Sequence, residues 1–412
     1  MRAAIDLKPS GCWPRLPGRC PEAHGWLGCS IDDTITLSLG LMPAAPSPWL
    51  PWMRRALQLA ALGAGRTSPN PVVGALVLDA AGQLVGEGYH ARAGEAHAEV
   101  GALAQAGARA RGGTLVVTLE PCCHQGRTPP CSQAVIAAGV VRVVVAMADP
   151  NPLVAGAGLE QLRLAGIEVI EGVAAAEALA LNRAFVHRIS TGRPLGILKW
   201  AMSLDGRIAL PNGASHWISG SAARAWVHQL RAAGDAVIVG GGTLRADDPL
   251  LTSRGHRDPE PLRVVVSRSL DLPASAQLWD TAVAATLVAH GPEASAAACE
   301  RLDRLGVERL PLAACEPLEL LEALGRRGCN QVLWECGPDL AAAALRQDCV
   351  QGIAAVIAPK LLGGLAARTP LGDLGLQAME QVVPWDGVAL RLLGPDLLWQ
   401  LDQPGGDRQL QP

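Results

Sequence analysis

Lysine, tyrosine and phenylalanine are nearly missing from this chain of 412 residues. Only three of its 35 basic residues are lysines, at positions 8, 199 and 360, and Tyr89 and Phe185 are each the only residue of their type. Arginine, alanine and glycine are used instead throughout the chain. A lysine that persists in such a composition indicates a position that needs an ammonium group, which draws attention to Lys199.

A basic excess, a long apolar run and a disulfide pattern are also missing. The formal net charge is −3, whereas nucleic-acid binders usually carry a basic excess or stripe. No stretch has the 18 or more consecutive apolar residues of a membrane-spanning helix. The eleven cysteines are an odd number scattered along the chain, unlike the even frameworks of small secreted domains, and no signal peptide is evident. We therefore expect no nucleic-acid partner, no membrane association and a cytoplasmic location.

The length and composition indicate two globular domains after an N-terminal extension. Hydrophobic residues make up 49% of the chain and charged residues 18%, which provides ample core for a chain too long for one domain. Residues 1–46 hold six prolines and three cysteines without a hydrophobic period. We predict a disordered extension, or sequence translated ahead of a start at Met53; a metal-binding role for Cys12, Cys20 and Cys29 is the alternative.

Strands alternating with helices follow from residue 47, which predicts an α/β fold with a mostly parallel sheet. GALVLDAAGQLVGEGYH is typical of a hairpin, and TGRPLG at 191–196 is a Gly/Pro boundary. A second α/β series follows and closes on an antiparallel pair in VALRLLGPDLLWQLD. We predict domains at 47–192 and 193–402 and a polar tail at 403–412.

A cysteine-rich stretch, LEPCCHQGRTPPC at 119–131, follows the predicted strand TLVVTLE. The strand leads Cys122 into a loop, and Pro129-Pro130 predicts a helix that begins near Cys131, where a thiolate is stabilised. His97 and Glu99 open the preceding helix. Residues two apart point to different sides of a helix, so these two can meet one ion only if it lies beyond the helix end.

Catalytic zinc needs three protein ligands and an open position for water. His97, Cys122 and Cys131 supply such a set, and Glu99 is then available to move protons, as in zinc deaminases. The deaminase pattern P-C-x-x-C differs from the nine-residue spacing here. The alternatives are a closed structural zinc site and a core without metal. The closed site would use Cys122, Cys123, His124 and Cys131.

Four motifs of the first half resemble the deaminase half of the RibD family of bifunctional riboflavin biosynthesis enzymes. They are TSPNPVVGALV, GEGYHARAGEAHAEV, LEPCCHQGRTPPC and DPNPLVAGAGL. The resemblance implies a cytidine-deaminase-like three-layer αβα domain with GRTPP inserted between the cysteine ligands. It also implies Zn²⁺ on His97, Cys122 and Cys131, and Glu99 as the catalytic proton shuttle. Substrate contacts fall on Asn70 and, for the phosphate, on Arg127; the alternative for Arg127 is a solvated loop residue. The family usually has serine at the position of Cys123.

The second half contains three features of interest. DAVIVGGGTLRADDPLLTSR runs from a strand into three glycines, but it lacks the G-x-G-x-x-G pattern, and we expect no helix to follow directly. WECGPDLAAAALRQ predicts a strand, then a helix whose first N–H groups could bind an anion. Lys199, Asp247 and Glu335 could converge to exchange protons during a reduction, or be separate charges and ion pairs.

Further motifs resemble the reductase half of the same family, which is similar in fold to dihydrofolate reductase. They are LKWAMSLDGRIA, ASHWISG, TLRADDPLLTSR, WECGPDLAAAALR and APKLLGG. The resemblance implies catalytic roles for Lys199, Asp247 and Glu335. It places NADPH on Ala201, Trp217, Thr243, Asp247, Gly337, Pro338, Asp339, Leu340, Ala341, Ala342 and Ala343. It places the ribosyl phosphate on Ser215, Arg231, Leu251, Arg254 and Glu335. Trp200, where the family often has a small residue, is expected to pack on the face opposite Lys199.

The resemblance implies two reactions on a small-molecule substrate. Zinc-dependent deamination of 2,5-diamino-6-(5-phosphoribosylamino)pyrimidin-4(3H)-one comes first. NADPH reduction of the ribosyl side chain then gives 5-amino-6-(5-phosphoribitylamino)uracil. The alternatives are a nucleoside or nucleic-acid deaminase with an accessory domain, a non-enzymatic zinc module, and a paralogue with one inactive half. A homo-oligomer is left open.

Overall fold

The computed structural model describes residues 47–123, 130–152 and 154–405. The predicted N-terminal extension, with its three cysteines, and residues 406–412 of the predicted tail lie outside these ranges. Two sheets organise the described chain, one with five strands and one with nine. No helix in the described ranges has both the length and the apolar character needed to cross a bilayer.

The five-stranded sheet is built from residues up to Ile170, in the order β2-β1-β3-β4-β5. Its elements are α1 Leu50–Ala61, β1 Gly74–Leu78, β2 Leu84–Tyr89, α2 Ala98–Ala106, a short 3₁₀ helix Gly107–Ala110, β3 Thr114–Val117, α3 Cys131–Ala138, β4 Arg142–Val145, α4 Ala157–Leu164, β5 Glu168–Ile170 and α5 Ala175–Thr191. The predicted hairpin is the antiparallel pair β1–β2. Strands β3, β4 and β5 are parallel, because helices α3 and α4 connect them.

Helices cover both faces of this sheet, which makes three layers. Successive side chains of a strand point to opposite faces. In β3, Leu115 and Val117 pack with α2, α3 and α4, whereas Val116 packs with α1 on the other face. Because both faces are buried, these strands are continuously apolar rather than alternating, as is typical of sheets with helices on both sides.

The nine-stranded sheet has the order β10-β9-β8-β7-β11-β6-β12-β14-β13. Its elements are β6 Leu195–Ser203, α6 Ser221–Ala233, β7 Ala236–Gly240, α7 Gly241–Asp247, β8 Leu262–Val266, a 3₁₀ helix Gln277–Trp279, β9 Thr286–His290, α8 Ala296–Arg304, β10 Glu308–Pro311, α9 Pro317–Arg326, β11 Gln331–Trp334, α10 Pro338–Arg346, β12 Gly352–Ala358, a 3₁₀ helix Met379–Gln381, β13 Asp386–Leu393 and β14 Asp396–Asp402. The first seven strands in this order are parallel, and β14 and β13 form the predicted antiparallel pair.

One expectation about this half was wrong: a helix does follow the three glycines. Helix α7 begins at Gly241, directly after β7. Glycine costs about 1 kcal/mol per residue in a helix interior, which is why the local sequence argued against it. Burying the side chain of Leu244, which is 1% exposed, contributes about 1.5–3 kcal/mol. A Cβ added at Gly241 would lie 3.0 Å from Leu272 Cδ2, so a larger residue there would require that side chain to shift.

Candidate active sites

Three potential metal ligands converge at the ends of two helices. His97 is the residue before α2, Cys131 is the first residue of α3, and Cys122 lies in the loop after β3. The distance from His97 Nδ1 to Cys131 Sγ is 3.2 Å and to Cys122 Sγ is 3.6 Å. Ligand atoms about 2.0–2.3 Å from a tetrahedral zinc ion lie about 3.6 Å apart. The donor set therefore fits one zinc ion beyond the start of α2.

The two ligand thiols of this group differ in how readily they ionise. A hydrogen bond from Cys131, opposed by burial and assisted by His97, lowers the pKa of Cys122 to about 4. The same hydrogen bond raises the pKa of Cys131, so this pair shares a proton that a bound cation would expel. Cys123 is not among the clustered ligand atoms of the described residues, and burial raises the pKa of its thiol. Arg127 and His124 lie outside the described residues.

Glu99 lies in the first turn of α2 and is almost completely buried. Burial raises the pKa of its carboxyl group to about 7. It lines a cavity of about 550 Å³ together with His97, Cys122 and Asn70. A carboxyl group that titrates near neutrality can both accept and return a proton. The cavity thus combines a metal site with a proton carrier.

His90 is a cavity residue that the sequence reasoning missed. Its Nδ1 donates to the Ala96 carbonyl at 3.1 Å, which leaves Nε2 to accept from Asn70 Nδ2 at 3.1 Å. Burial lowers the pKa of His90, in agreement with a neutral ring that accepts at Nε2. His90 therefore fixes the orientation of the Asn70 amide. The available signal was its position at the end of a strand, seven residues before His97.

Glu120 is a second residue that was missed, because it appeared only as the end of a strand. Its buried carboxylate accepts four backbone N–H groups, from Asp149, Gly156, Gly158 and Leu159, at 2.9–3.3 Å. These bonds attach the segment 149–159, which contributes Asp149 and Asn151 to the cavity wall. Glu120 therefore has a structural role beside the metal group.

Substitution of Glu120 by alanine is expected to destabilise the first half strongly. It would leave four backbone N–H groups, two of them buried, without their acceptor, and hydrogen bonds to charged groups contribute about 1.5–3 kcal/mol each. We expect the free energy of unfolding to fall by about 3–5 kcal/mol, measured by chemical denaturation. Glu160→Ala, at a side chain 62% exposed, is the matched control and should change it by less than about 0.5 kcal/mol. Equal effects would contradict this role.

A second cluster of charges lies in the nine-stranded sheet. Glu335 follows β11, and Lys199 lies in the neighbouring strand β6, with Nζ 3.7 Å from Glu335 Oε2. Arg231 of α6 donates to both Glu335 oxygens, through Nε at 2.6 Å and Nη2 at 3.1 Å. Burial disfavours the Glu335 anion, but Arg231 and Lys199 outweigh it and lower its pKa to about 2. Burial also lowers the pKa of Lys199, which brings its ammonium group closer to proton exchange.

The third residue predicted to converge, Asp247, lies at the end of α7, where Ser215 Oγ donates to Asp247 Oδ1 at 3.4 Å. Within the described part of the chain, no hydrogen bond or ion pair connects Asp247 to Lys199. Thr243 of α7 lies beside the start of α10, because a Cβ added to Gly337 would be 3.7 Å from Thr243 Oγ1. Thr243 and Gly337, both predicted NADPH contacts, are thus neighbours. They lie beside the first N–H groups of α10, which can bind an anion.

The other predicted residues of this half occupy different environments. Arg231, predicted to hold a phosphate, has all three side-chain nitrogens engaged, because Nη1 donates to the Thr252 carbonyl at 3.1 Å. Leu251 is buried, whereas Arg254 and Trp217 are exposed. Ala201 lies in β6 two residues after Lys199, and hence on the same face. The roles of these residues stay predictions.

Trp200 packs against the hydrophobic core of the second half, as strand alternation predicts for a residue next to Lys199. A further ionisable residue in this region, His228 of α6, was not predicted. Burial and Arg231 lower the pKa of His228. Its signal in the sequence was weak, because His228 lies three residues before Arg231 within an ordinary amphipathic helix.

Two family models match the chain. One, described as the cytidine and deoxycytidylate deaminase zinc-binding region, matches residues 50–147. The other, the RibD C-terminal domain, matches residues 194–398. The riboflavin biosynthesis protein RibD of Synechocystis is 51% identical over 347 residues, covering 84% of this chain and 94% of the relative. RibD of Escherichia coli is 41% identical over 364 residues, covering 85% and 98%.

Solved structures agree with these matches. RibD of Acinetobacter baumannii is similar with a TM-score of 0.78 and 40% identity, covering 86% of this chain and 98% of that one. The diaminohydroxyphosphoribosylaminopyrimidine deaminase/5-amino-6-(5-phosphoribosylamino)uracil reductase of Thermotoga maritima has a TM-score of 0.77 and 34% identity, with the same coverage. Each likeness extends over both sheets rather than over one of them.

Proposed function

Because the chain belongs to the RibD family of bifunctional riboflavin biosynthesis enzymes, we propose that it deaminates 2,5-diamino-6-(5-phosphoribosylamino)pyrimidin-4(3H)-one and then reduces the ribosyl side chain of the product. Family membership confirms the predicted two-domain α/β fold and the pairing of a zinc deaminase with a reductase. It does not favour the nucleoside or nucleic-acid deaminase alternative. The proposed residue roles rest chiefly on one observation: His97, Cys122 and buried Glu99 line one cavity, and the Cys131 thiol lies within ligand distance of His97 and Cys122.

In the deaminase half, His97, Cys122 and Cys131 would hold zinc, which when bound acidifies a water molecule. Glu99, buried at the same cavity, would accept a proton from the attacking water as the water oxygen bonds to C2 of the pyrimidine and the C2–N3 π electrons move to N3. The same carboxyl group then returns the proton to the departing amino group, so that the C–N bond breaks and ammonia leaves. His90 holds the Asn70 amide in place at the cavity wall, where we assign Asn70 to the pyrimidine edge.

In the reductase half, Ala201, Trp217, Thr243, Asp247 and the start of α10 would hold NADPH, which when bound would supply a hydride for C1′ of the ribosyl group. Opening of the ribose ring needs a proton on the ring oxygen as the C1′–O bond breaks. We assign this proton to Lys199, since burial lowers the pKa of its ammonium group. Glu335 keeps Lys199 in place, and Arg231 in turn holds the Glu335 carboxylate. Ser215, Leu251 and Arg254, with Arg231 and Glu335, are the proposed ribosyl-phosphate contacts.

A homo-oligomer formed through the edge strand β13 is part of this proposal. Val388, Leu390 and Leu392 of β13 are 60%, 63% and 74% exposed, and an edge strand presents unpaired backbone groups to solvent. A second copy of the chain that pairs with this edge would cover both the apolar side chains and the backbone. The exposed apolar residues of β13 support the proposed homo-oligomer.

Zinc analysis of single cysteine variants tests the proposed ligand set. Cys122→Ser and Cys131→Ser replace a thiolate by a hydroxyl group, which is a far poorer zinc ligand at neutral pH. We expect both purified variants to lose most of their zinc in elemental analysis and to release no ammonia. Reduction of supplied aminouracil substrate should continue, because the second cluster contains no zinc ligand.

Cys123→Ser is the matched control, one position away from Cys122. This variant should retain the zinc content and deaminase rate of the unmodified protein. Zinc loss from Cys123→Ser together with retention by Cys122→Ser would contradict the assignment and favour the neighbouring thiolate as the ligand.

A further inference from the structure

The cavity loop that carries Asn70 is held at one end by its own half of the chain. Asn182 of α5 pairs with the backbone of Val72, accepting from its N–H at 2.9 Å and donating to its carbonyl at 3.0 Å. Asn182 is itself buried. This contact fixes the loop where it enters β1, but it lies two residues beyond Asn70.

The other end of the loop is held by the second half. Asn330, the residue before β11, donates through Nδ2 to Ser68 Oγ at 3.1 Å and to the Asn70 carbonyl at 3.3 Å. Asp235, the residue before β7, accepts from Ser68 Oγ at 2.9 Å and from the Asn330 N–H at 2.7 Å. Both Asn330 and Asp235 are buried, so each of these contacts has at least one partner that is shielded from water.

Arg188 of α5 joins this group from the cavity side. Its Nη2 donates to the Pro69 carbonyl at 2.8 Å, and its Nε donates to Asn330 Oδ1 at 2.6 Å. Arg188 and Pro69 both line the cavity that contains Glu99. The Asn330 side-chain oxygen thus accepts from Arg188, and the side-chain nitrogen donates to the loop. These opposite roles determine the orientation of the Asn330 amide.

Two glycines allow the halves to approach closely at this loop. A Cβ added to Gly65 would lie 2.3 Å from the Ala232 carbonyl oxygen, and one added to Gly328 would lie 3.0 Å from Pro69 Cβ. Backbone of the first half is thus pressed directly against α6 and the approach to β11. The loop therefore cannot move toward the second half, and its free space lies on the cavity side, which Pro69 and Asn70 line.

We propose that Asn330, a residue of the reductase half, is a positioning residue for the deaminase reaction, acting through the backbone of Asn70. The proposal rests on the assignment of Asn70 as a substrate contact under the proposed function. His90 holds the side-chain amide of Asn70, and Asn330 holds the backbone carbonyl of Asn70. Together they fix both the side chain and the backbone of this residue. Loss of the Asn330 contacts frees the backbone of residues 68–70, and displacements of about 1 Å at a substrate contact cost up to about 100-fold in rate.

The test measures both activities of the full-length protein carrying Asn330→Ala or Asn330→Asp. The aspartate variant keeps an acceptor for Arg188 and loses the donor to Ser68 and Asn70. For both variants we expect KM for the diaminopyrimidine to rise and kcat/KM for ammonia release to fall by about 10- to 100-fold. Zinc content and the kinetics of aminouracil reduction should stay unchanged.

Asp402→Asn is the matched control, because it weakens a different contact between the halves, the 2.6 Å pair of Arg183 Nη1 and Asp402 Oδ1. It should leave the deaminase KM unchanged. A merely structural role of Asn330 would lower kcat through the folded fraction, leave KM unchanged and reduce both activities. That outcome, or an equal effect of Asp402→Asn, overturns the proposal.

Asn70→Ala separates this inference from the proposed function. If Asn70→Ala raises the deaminase KM and the Asn330 variants do not, the positioning role is overturned while the assignment of Asn70 stands. If Asn70→Ala leaves the KM unchanged, the assignment of Asn70 fails, and the positioning role fails with it. A rise in KM for both sets of variants supports both.

Discussion

Glu99→Gln should reduce the rate of ammonia release by about 10²- to 10⁴-fold, the usual contribution of a general acid–base residue. Glutamine has nearly the same shape as glutamate, so the packing in the first turn of α2 is preserved. Its amide cannot take a proton from water or return one to the leaving amino group. Zinc content should be unchanged, because Glu99 is not among the clustered ligands. The measurement is ammonia release by purified, zinc-loaded protein.

The reductase half provides the internal control for this variant. Reduction of supplied 5-amino-6-(5-phosphoribosylamino)uracil by Glu99→Gln should proceed at the rate of the unmodified protein, because Lys199 and Glu335 belong to the other sheet. Loss of both activities in a folded, zinc-containing variant would contradict the independence of the two sites. Ammonia release at the normal rate would contradict the role of Glu99.

The second large effect is expected for Lys199→Met, which should slow aminouracil reduction by about 10²- to 10⁴-fold. Methionine fills the space of the lysine stem but has no proton to give to the ribose oxygen. Glu335 keeps both hydrogen bonds from Arg231, so no buried carboxylate is left without a partner. The decrease in NADPH absorbance with supplied aminouracil measures the rate, and ammonia release should be unaffected.

Trp200→Phe is the matched control for Lys199→Met. Trp200 is the next residue of β6, and its side chain packs against the core. Its indole Nε1 is buried without a hydrogen-bond partner among the described residues, so the substitution removes no described hydrogen bond. Reduction at near-normal rate is expected. A larger loss for Trp200→Phe than for Lys199→Met would indicate that the packing of β6, rather than the ammonium group, limits the rate.

The zinc group could be predicted from sequence because local structure determines most of it. A strand end delivers Cys122, and prolines place Cys131 at a helix start. His97 and Glu99 can share a site only beyond the end of their helix, and the cluster lies at the start of α2, as this geometry predicts. One histidine and two cysteines are ligands typical of zinc, and Glu99 is the carboxyl group that remains to carry protons.

Contacts between distant segments could not be predicted in this way. The contact between Asn330 and Asn70 joins residues 260 positions apart, and neither residue belongs to a local pattern that indicates it. The resemblance assigns Arg231 to the phosphate, and no local pattern indicates that Arg231 also pairs with Glu335. Helix α7 was missed because local glycine propensity was outweighed by the burial of Leu244. In each case packing between elements decided what local sequence could not.

The order of the two reactions is the central claim, and a two-stage assay of the purified protein with the diaminopyrimidine phosphate tests it most directly. Without NADPH, we expect ammonia release to proceed to completion. When NADPH is then added, its oxidation should begin at once. In a parallel mixture, whose protein lost its zinc before the substrate was added, NADPH oxidation should not begin at all. NADPH oxidation that precedes or bypasses ammonia release would contradict the account.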